Sequence, residues 1–217
     1  MARPIAVLFD LDGTLVDTIE FILSSVRHTF DGYRGRCPTD AEWIAGIGTP
    51  LRGQLADFAL APADVEPLLE RYRAHQRLHF ERMTRPYDGA VEVVRGLKER
   101  GHPLAVVTAK LQEPAERAVR LIGIADCMDA IVSADSCPRN KPHPDPVLLA
   151  LSRLDRGPEE AVFIGDSPHD IAAGNAAGTA SAAALWGACS REVLVAARPG
   201  HLLESIAEVP GLVVRLG

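Results

Sequence analysis

Two aspartates stand two residues apart at the end of an apolar run near the start of the chain, in LFDLDGTLVDT at residues 8–18. On extended backbone such residues point to the same side, so Asp10 and Asp12 can face one pocket. Gly13 permits a sharp turn directly after them, and Thr14 can fix that turn by hydrogen bonding. The pattern suits either an ordinary turn or a pair of carboxylates that act on one substrate.

Two further stretches carry groups that could hold an anion. Thr108, Ala109 and Lys110 come at the end of the run PLAVVTAK, where a small hydroxyl residue that opens a helix would offer its side chain and backbone N–H groups. The alternative is an ordinary Thr N-cap. Lys141 lies in RNKPHPDP, where prolines restrict the loop and could aim the ammonium, although a solvent-exposed lysine is the alternative.

The stretch GDSPHD at residues 165–170 combines a helix start with an acid that the helix start leaves unexplained. Ser167, Pro168 and Asp170 suit the N-cap, the first and the third helical positions. Asp166 precedes the cap and stands at the end of an apolar run, so it is a further candidate for the site.

Apolar runs typical of buried parallel strands alternate with helical patterns along much of the chain. The strand candidates are residues 5–9, 103–108 and 161–166, with weaker ones at 130–134 and 179–186. The helix candidates are residues 90–101, 114–123, 145–154 and 169–178. This alternation predicts an α/β fold with a doubly wound parallel sheet.

Residues 18–85 interrupt the alternation with amphipathic helical patterns and no convincing strand. We interpret them as a small all-helical cap inserted after the first strand. The predicted organisation is therefore a first strand and loop of the core at 1–17, the cap at 18–85, and the remainder of the α/β core at 86–217.

The candidate residues converge if the fold is a parallel sheet, because ligands bind outside the carboxyl ends of its strands. Clustered carboxylates repel one another unless a cation sits among them, and oxygen ligands without His or Cys favour Mg²⁺. A magnesium ion, a lysine and backbone N–H groups together suit a phosphoryl group. A carboxylate that attacks phosphorus forms an aspartyl-phosphate. The residues brought to this edge are Asp10, Asp12, Thr108, Lys141 and Asp166.

Composition limits the class of protein and of partner. The net charge of −6 over 217 residues argues against nucleic-acid binding, and no apolar run has the length of a membrane span. The N-terminal residues do not resemble a signal peptide. We expect a cytoplasmic monomer or homodimer that acts on a small phosphorylated substrate, with no nucleic-acid or membrane partner. The four cysteines lack C-x-x-C spacing and are expected to be free thiols.

The motifs DLDGT, VVTAK, KPHPDP and GDSPHD occur in the order found in the haloacid dehalogenase superfamily, which the sequence resembles over nearly its whole length. The resemblance is closest to the phosphoglycolate phosphatase branch and extends to the pyrophosphatases of that branch. It implies that Asp10 is the nucleophile, and that Asp12 is the general acid and base. It also implies that Thr108 and Lys141 hold the phosphoryl oxygens.

The resemblance further implies a Mg²⁺ site and a supporting shell. Asp166 matches a metal ligand, joined by Asp10 and by the backbone carbonyl of Asp12, while Asp170 supports the metal site. Ala109 and Lys110 join the predicted phosphate-binding set, and Gly13 and Thr14 support the loop. Residues 18–85 match the cap that closes over the site.

The resemblance implies a Mg²⁺-dependent phosphatase that works through an aspartyl-phosphate, with phosphoglycolate as the first candidate substrate. Inorganic pyrophosphate is one alternative. The other is a phosphomutase similar to β-phosphoglucomutase, which places a histidine early on the first cap helix, where this chain has TIEFILSSV. Arg52 could bind a substrate carboxylate or a second phosphate, or lie at the surface. His75 and His79 share a helix face and are expected to be solvated or to lie between helices.

Overall fold

The centre of the molecule is a six-stranded sheet in a computed structural model that describes residues 4–217. Every pairing in this sheet is parallel, and the strand order is β5-β4-β1-β6-β7-β8. Its strands are β1 (Ala6–Phe9), β4 (Leu104–Val107), β5 (Ala130–Val132), β6 (Ala161–Gly165), β7 (Ala180–Ala184) and β8 (His201–Leu203). The predicted doubly wound parallel α/β fold is confirmed.

The central strand shows why this part of the chain is a continuous apolar run. All of β1 is buried, and its side chains alternate between two separate hydrophobic cores. Val7 and Phe9 join one core, while Ala6 and Leu8 join the other. A strand covered on both faces needs apolar residues at every position, which removes the alternation seen in half-exposed strands.

Helices cover both faces of the sheet. They are α5 (Ala90–Glu99), α6 (Gln112–Leu121), α7 (Asp145–Leu154), α8 (Pro168–Ala177), α9 (Arg191–Ala196) and α10 (Val209–Leu216). Short 3₁₀ turns occupy Ala125–Cys127, Pro158–Glu160 and Ile206–Glu208. Helix α5 ends two residues before its predicted limit, and Gly101 follows with φ of +80°, as expected for a residue that terminates a helix.

Four helices lie between β1 and the rest of the sheet in sequence and share a hydrophobic cluster of their own. They are α1 (Ile19–Phe30), α2 (Asp40–Ile44), α3 (Leu51–Phe58) and α4 (Val65–Met83), with a 3₁₀ turn at Pro62–Asp64. Trp43, Leu55 and Leu68 are buried in this cluster. We refer to these four helices as the cap helices.

A two-stranded antiparallel ribbon joins the cap helices to the core. Its strands are β2 (Val16–Asp17) and β3 (Arg85–Pro86), and Asp17 pairs with Arg85. The ribbon was not predicted, and its second strand begins inside a range expected to lack strands, because two residues are too few to show periodicity. Both crossings between core and cap therefore lie side by side.

The cysteines and the membrane expectation can also be compared with the structure. All four cysteines are free, as expected. Among the helices of residues 4–217, none combines the length and apolar composition needed to cross a bilayer.

Candidate active site

The loop after β1 is shaped by a glycine that no other residue could replace. The Asp10 N–H donates to the Ile164 carbonyl on β6 over 2.9 Å, which continues the pairing of β1 with β6. Gly13 follows with φ of +80°, a conformation that L side chains rarely adopt. A Cβ on Gly13 would overlap the Asp166 carboxylate. The loop therefore brings the ends of two neighbouring strands into direct contact.

Asp166 directly follows β6 and is fixed by two donors. The Thr14 hydroxyl donates to its Oδ1 over 3.2 Å, and the Ala188 N–H donates to its Oδ2 over 2.8 Å. The loop that carries Ala188 lies against the loop after β1, where the Trp186 indole N–H donates to the Thr14 carbonyl over 3.0 Å. A side chain on Gly187 would overlap both Asp166 and the Gly13 carbonyl. Residues 186–188 are thus part of the site, although no motif or pattern in this stretch predicted it.

Lys141 is buried at the centre of the site and uses all of its donors. Its Nζ lies 2.9 Å from Asp10 Oδ1, 2.6 Å from Asp170 Oδ1 and 3.3 Å from the Val107 carbonyl. An ammonium has three N–H bonds, so these partners satisfy it completely. The exposed-lysine alternative is wrong, since Lys141 is 3% exposed.

Asp170 belongs both to the start of helix α8 and to the buried polar group around Lys141. It is the third residue of α8, and its Oδ2 accepts from the N–H and the hydroxyl of Ser167 over 3.0 and 2.6 Å. Its other oxygen contacts Lys141. The predicted helix start is confirmed, and the same carboxylate orients the lysine that contacts Asp10.

The electrostatics of this buried group call for a cation. One oxygen from each of Asp10, Asp166 and Asp170 lies within 4.8 Å of the others, and all three residues are buried. When all three carboxyls are ionised, they and the ammonium of Lys141 leave two negative charges, which a divalent cation would balance. Hard carboxylate oxygens are the ligands that Mg²⁺ prefers. The donor set therefore fits the predicted magnesium ion.

The pKa shifts of the carboxyls have the same origin. Burial raises the pKa of Asp166 to about 7, and repulsion from Asp170 adds to the effect. Burial and Asp170 also raise the pKa of Asp10 well above its usual value. Burial alone would lower the pKa of Lys141, but Asp10 and Asp170 raise it above the ordinary lysine value, so the ammonium stays charged.

Asp12 lies beside the acidic cluster and has a different set of partners. Its Oδ1 accepts from the Thr18 hydroxyl over 2.5 Å, and its Oδ2 lies 2.9 Å from Lys110 Nζ. Thr18 was not singled out, although it ends the stretch that contains Asp12. The carboxylate of Asp12 is thus held apart from the acidic cluster and remains 14% exposed.

Thr108 lies at the expected strand end but does not open a helix. It follows β4, whereas α6 begins at Gln112 with Leu111 at the N-cap. The predicted helix-start environment is wrong because residues 109–111 form a loop. In that loop the Thr108 hydroxyl accepts from the Lys110 N–H over 3.2 Å, and the Lys110 carbonyl accepts from the Ala134 N–H over 2.8 Å.

A cavity of 780 Å³ lies between the core and the cap helices. Asp10, Asp12, Thr108, Ala109 and Lys110 line its core side, whereas its cap side is largely apolar. The apolar cap residues that line it include Ile22, Trp43, Ile47, Leu51, Leu69, Tyr72 and Phe80. Asp10, Asp12 and Thr108 therefore face a pocket of suitable size for a small ligand, whereas Lys141 and Asp166 lie outside its lining.

The three candidate residues of the cap have different surroundings. Arg52 lines the cavity, but its guanidinium pairs with Glu66 over 2.6 Å, and both side chains are well exposed. His75 and His79 lie outside the cavity lining. Their rings are 4.4 Å apart, and His75 also packs on His28, in agreement with the expectation that they are solvated or lie between helices.

The arrangement can carry out phosphoryl transfer. A buried carboxylate beside an ammonium can serve as nucleophile, and a second, accessible carboxylate can move protons. Fold and site together are those of a hydrolase whose parallel sheet presents aspartates to a cavity beneath the cap helices. The family model described as haloacid dehalogenase-like hydrolase matches residues 7–184, so the chain belongs to this family and is a phosphatase of it.

Relatives of known name match almost the whole chain. It is 36% identical over 210 residues to the pyrophosphatase PpaX of Bacillus velezensis, with 95% of both chains covered. It is 35% identical over 207 residues to PpaX of Halalkalibacterium halodurans, also with 95% of both covered.

Solved structures share the fold over the full length. A predicted phosphoglycolate phosphatase of Haemophilus somnus has a TM-score of 0.88 at 22% identity, and the match covers 98% of this chain and 99% of that one. A haloacid dehalogenase-like hydrolase of Streptococcus pneumoniae has a TM-score of 0.83 at 26% identity, with 98% and 99% covered.

Proposed function

We propose that this protein is a Mg²⁺-dependent phosphatase that hydrolyses a small phosphorylated metabolite through an aspartyl-phosphate on Asp10. The observation that carries this proposal is the buried group of Asp10, Asp166, Asp170 and Lys141. With its carboxyls ionised this group carries two unbalanced negative charges, and Asp10 presents it to the cavity. We further propose that the protein works in the cytoplasm as a monomer or homodimer.

In the proposed reaction, Asp10 attacks phosphorus while the bond from phosphorus to the leaving oxygen breaks. Asp12 gives a proton to that leaving oxygen and then takes a proton from the water that attacks the aspartyl-phosphate. This second step releases inorganic phosphate and restores the Asp10 carboxylate. Asp12 suits both roles because it is close to Asp10 in the chain but outside the acidic cluster.

The remaining polar groups hold the phosphoryl group and the nucleophile. Lys141 fixes the Asp10 oxygen that it contacts. Thr108 and Lys110 line the same part of the cavity and would bind phosphoryl oxygens. Mg²⁺, held by Asp10 and Asp166 with Asp170 beside them, would neutralise charge on the phosphoryl oxygens.

Pyrophosphate is the first substrate that we propose, ahead of phosphoglycolate. The sequence resemblance placed phosphoglycolate first, but the relatives that are 34–36% identical over nearly the whole chain are named pyrophosphatases. The structure named as a phosphoglycolate phosphatase is 22% identical and supports the fold only. Phosphoglycolate remains the second candidate, because both compounds are small phosphates with a second anionic group.

The phosphomutase alternative finds no support in the cavity. A mutase of the kind considered would need a histidine from the first cap helix near the phosphoryl group. Among the described residues that line the cavity there is no histidine, and α1 contributes Ile22. His28, the histidine of α1, packs on His75 instead.

Phosphate release from a small set of substrates tests the proposal. The set is pyrophosphate, phosphoglycolate, p-nitrophenyl phosphate and β-glucose 1-phosphate, each with Mg²⁺ and with EDTA. We expect turnover that requires the metal, and we expect Asp10→Asn to lower it by on the order of 10⁴-fold because the amide is not a nucleophile. Asp10→Asn activity above about a hundredth of the wild-type rate would exclude covalent catalysis by Asp10.

A further inference from the structure

We infer that Arg73 on cap helix α4 is the specificity-determining residue that binds the second anionic group of the substrate. This group is a phosphate or a carboxylate on the part of the substrate that leaves when the phosphoryl group is transferred. The inference rests on the proposed phosphatase function and assigns to Arg73 a role for which Arg52 was one candidate in the sequence.

The first observation concerns the described basic residues that line the cavity. Among them, only Arg73 has neither a polar nor an aromatic partner. The other basic side chains that line it are each engaged. Their contacts are Arg52 with Glu66 at 2.6 Å, Arg77 with Glu70 at 2.6 Å, Lys110 with Asp12 at 2.9 Å, and Arg117 with Glu81 at 3.4 Å and with the Phe80 ring at 4.3 Å.

The helix itself accounts for the missing partner. Glu70 lies three residues before Arg73, at a spacing that normally allows an ion pair on one helix face. The Glu70 carboxylate instead pairs with Arg77. Arg73 is therefore left half-buried with an unpaired guanidinium, a state that a bound anion would improve.

The position of Arg73 on α4 places it on the cap side of the cavity, whereas Asp10 and Asp12 line the core side. Leu69, Tyr72, Gln76 and Phe80 recur at helical spacing and line the cavity from the same helix. Arg73 lies among them, so it contributes a cation to an otherwise largely apolar cap side. In such surroundings a charge-assisted, bidentate contact with phosphate or carboxylate is stronger than at an exposed surface.

Arg52 is less suited to this task. Its guanidinium already has a carboxylate partner, and the side chains of Arg52 and Glu66 are 59% and 66% exposed. An anionic ligand would have to displace Glu66 and compete with water. Arg73 is less exposed than Arg52 and has no carboxylate partner to displace among the described residues.

The kinetic test compares Arg73→Gln with Arg82→Gln, a control at an exposed arginine of the same helix that does not line the cavity. For Arg73→Gln we expect KM for pyrophosphate and phosphoglycolate to rise about 10- to 100-fold, the range expected for a lost charged hydrogen bond. The kcat/KM for p-nitrophenyl phosphate, which has no second anionic group, should stay within about twofold. Arg73→Lys should recover part of the loss because it keeps the charge. Equal losses on all substrates, or equal losses in the two Gln variants, would overturn the assignment.

A binding measurement keeps the assignment testable if no substrate in the set is turned over. Calorimetric titration with methylenediphosphonate and with methylphosphonate, at equal free Mg²⁺, compares a ligand with two anionic groups and one with a single group. Arg73→Gln should raise Kd for the first by about tenfold or more and leave the second nearly unchanged. An unchanged Kd for methylenediphosphonate would reject the role of Arg73 and leave the phosphatase proposal untouched. If the wild type turned over no substrate but Arg73→Gln still weakened binding of methylenediphosphonate alone, the phosphatase proposal would be rejected and the role of Arg73 would stand.

Discussion

At the scale of single residues, Lys141 determines the charge balance of the site. It is buried between Asp10 and Asp170, and no other cation contacts these two carboxylates in the described chain. Removing one partner of a buried ion pair leaves an uncompensated charge. The free-energy cost of that charge is larger than the net stabilisation that the intact pair provided. Loss of the lysine would therefore destabilise the metal-free protein, and it would also remove the group that we propose to fix the Asp10 carboxylate.

We predict that Lys141→Ala abolishes turnover and lowers the free energy of unfolding by about 3–5 kcal/mol at neutral pH. The loss should shrink at acidic pH, because the carboxyls near Lys141 can then become neutral. Urea unfolding with EDTA at neutral and acidic pH measures both effects. Lys98→Ala, which removes a half-exposed pair with Asp129, is the control and should cost less than about 1 kcal/mol. A similar cost for the two variants would show that the buried pairs are not stabilising.

At the scale of elements, α6 of the core and α4 of the cap are joined by Arg117. Its guanidinium lies 4.3 Å from the centre of the Phe80 ring and 3.4 Å from the Glu81 carboxylate. A partly desolvated cation–π contact contributes on the order of 1 kcal/mol, enough to shift an opening equilibrium several-fold. This contact therefore favours a cap that stays over the cavity.

We predict that Arg117→Ala speeds amide hydrogen exchange in the last turns of α4, residues 77–83, by roughly three- to tenfold. Arg120→Ala is the matched control, since Arg120 lies on the same helix but pairs within it, with Glu116. It should leave exchange in α4 unchanged. If both variants, or neither, changed exchange there, Arg117 would not be the link between cap and core.

The sequence predicted those elements that are long or buried on both faces. Strand β1, β4 and β6 appear as apolar runs because every position is covered. The ribbon β2–β3 has only two residues in each strand, and the three residues of edge strand β8 are mostly not buried, so neither shows a clear pattern. The fold class followed from the alternation of the buried strands with helical patterns.

The same reasoning separates the predicted site residues from those that were missed. Asp10, Asp166 and Lys141 were found because charged residues next to strands or in a proline-bound loop stand out. The Ala188 N–H on Asp166 has no signature, since any residue except proline can supply it. Arg73 was missed because its distinction is an absent partner, which only tertiary structure reveals.

At the scale of the whole molecule, the acidic cluster links stability to both pH and metal. The pKa of Asp166 is about 7 in the folded protein, against an ordinary value of 3.8. Protonation therefore favours the folded state. The stabilisation from protonating Asp166 is fully present when the pH lies below the ordinary pKa of 3.8, and it is lost as the pH rises through about 7. Asp10 shifts in the same direction. A divalent cation would restore the lost stability where the carboxyls are ionised.

We predict that the rise in Tm on adding Mg²⁺ is small near about pH 5 and several degrees near about pH 8. Thermal unfolding with Mg²⁺ and with EDTA across this range provides the measurement. Asp166→Asn should remove most of the rise, whereas Asp135→Asn, at a cavity-lining aspartate outside the cluster, should keep it. A rise that is the same at all pH values would mean that the ion binds elsewhere.

Mass spectrometry of a trapped enzyme can show whether Asp10 carries the phosphoryl group during turnover. Asp12→Asn should still form the aspartyl-phosphate from p-nitrophenyl phosphate, whose leaving group needs little protonation, but should hydrolyse it slowly for want of a base. After incubation with Mg²⁺ and an acid quench, we expect one added phosphoryl group on the peptide that contains Asp10. The double variant Asp10→Asn/Asp12→Asn should show none. Turnover without a phosphorylated Asp10 peptide, or phosphorylation that persists in the double variant, would show that Asp10 is not the nucleophile.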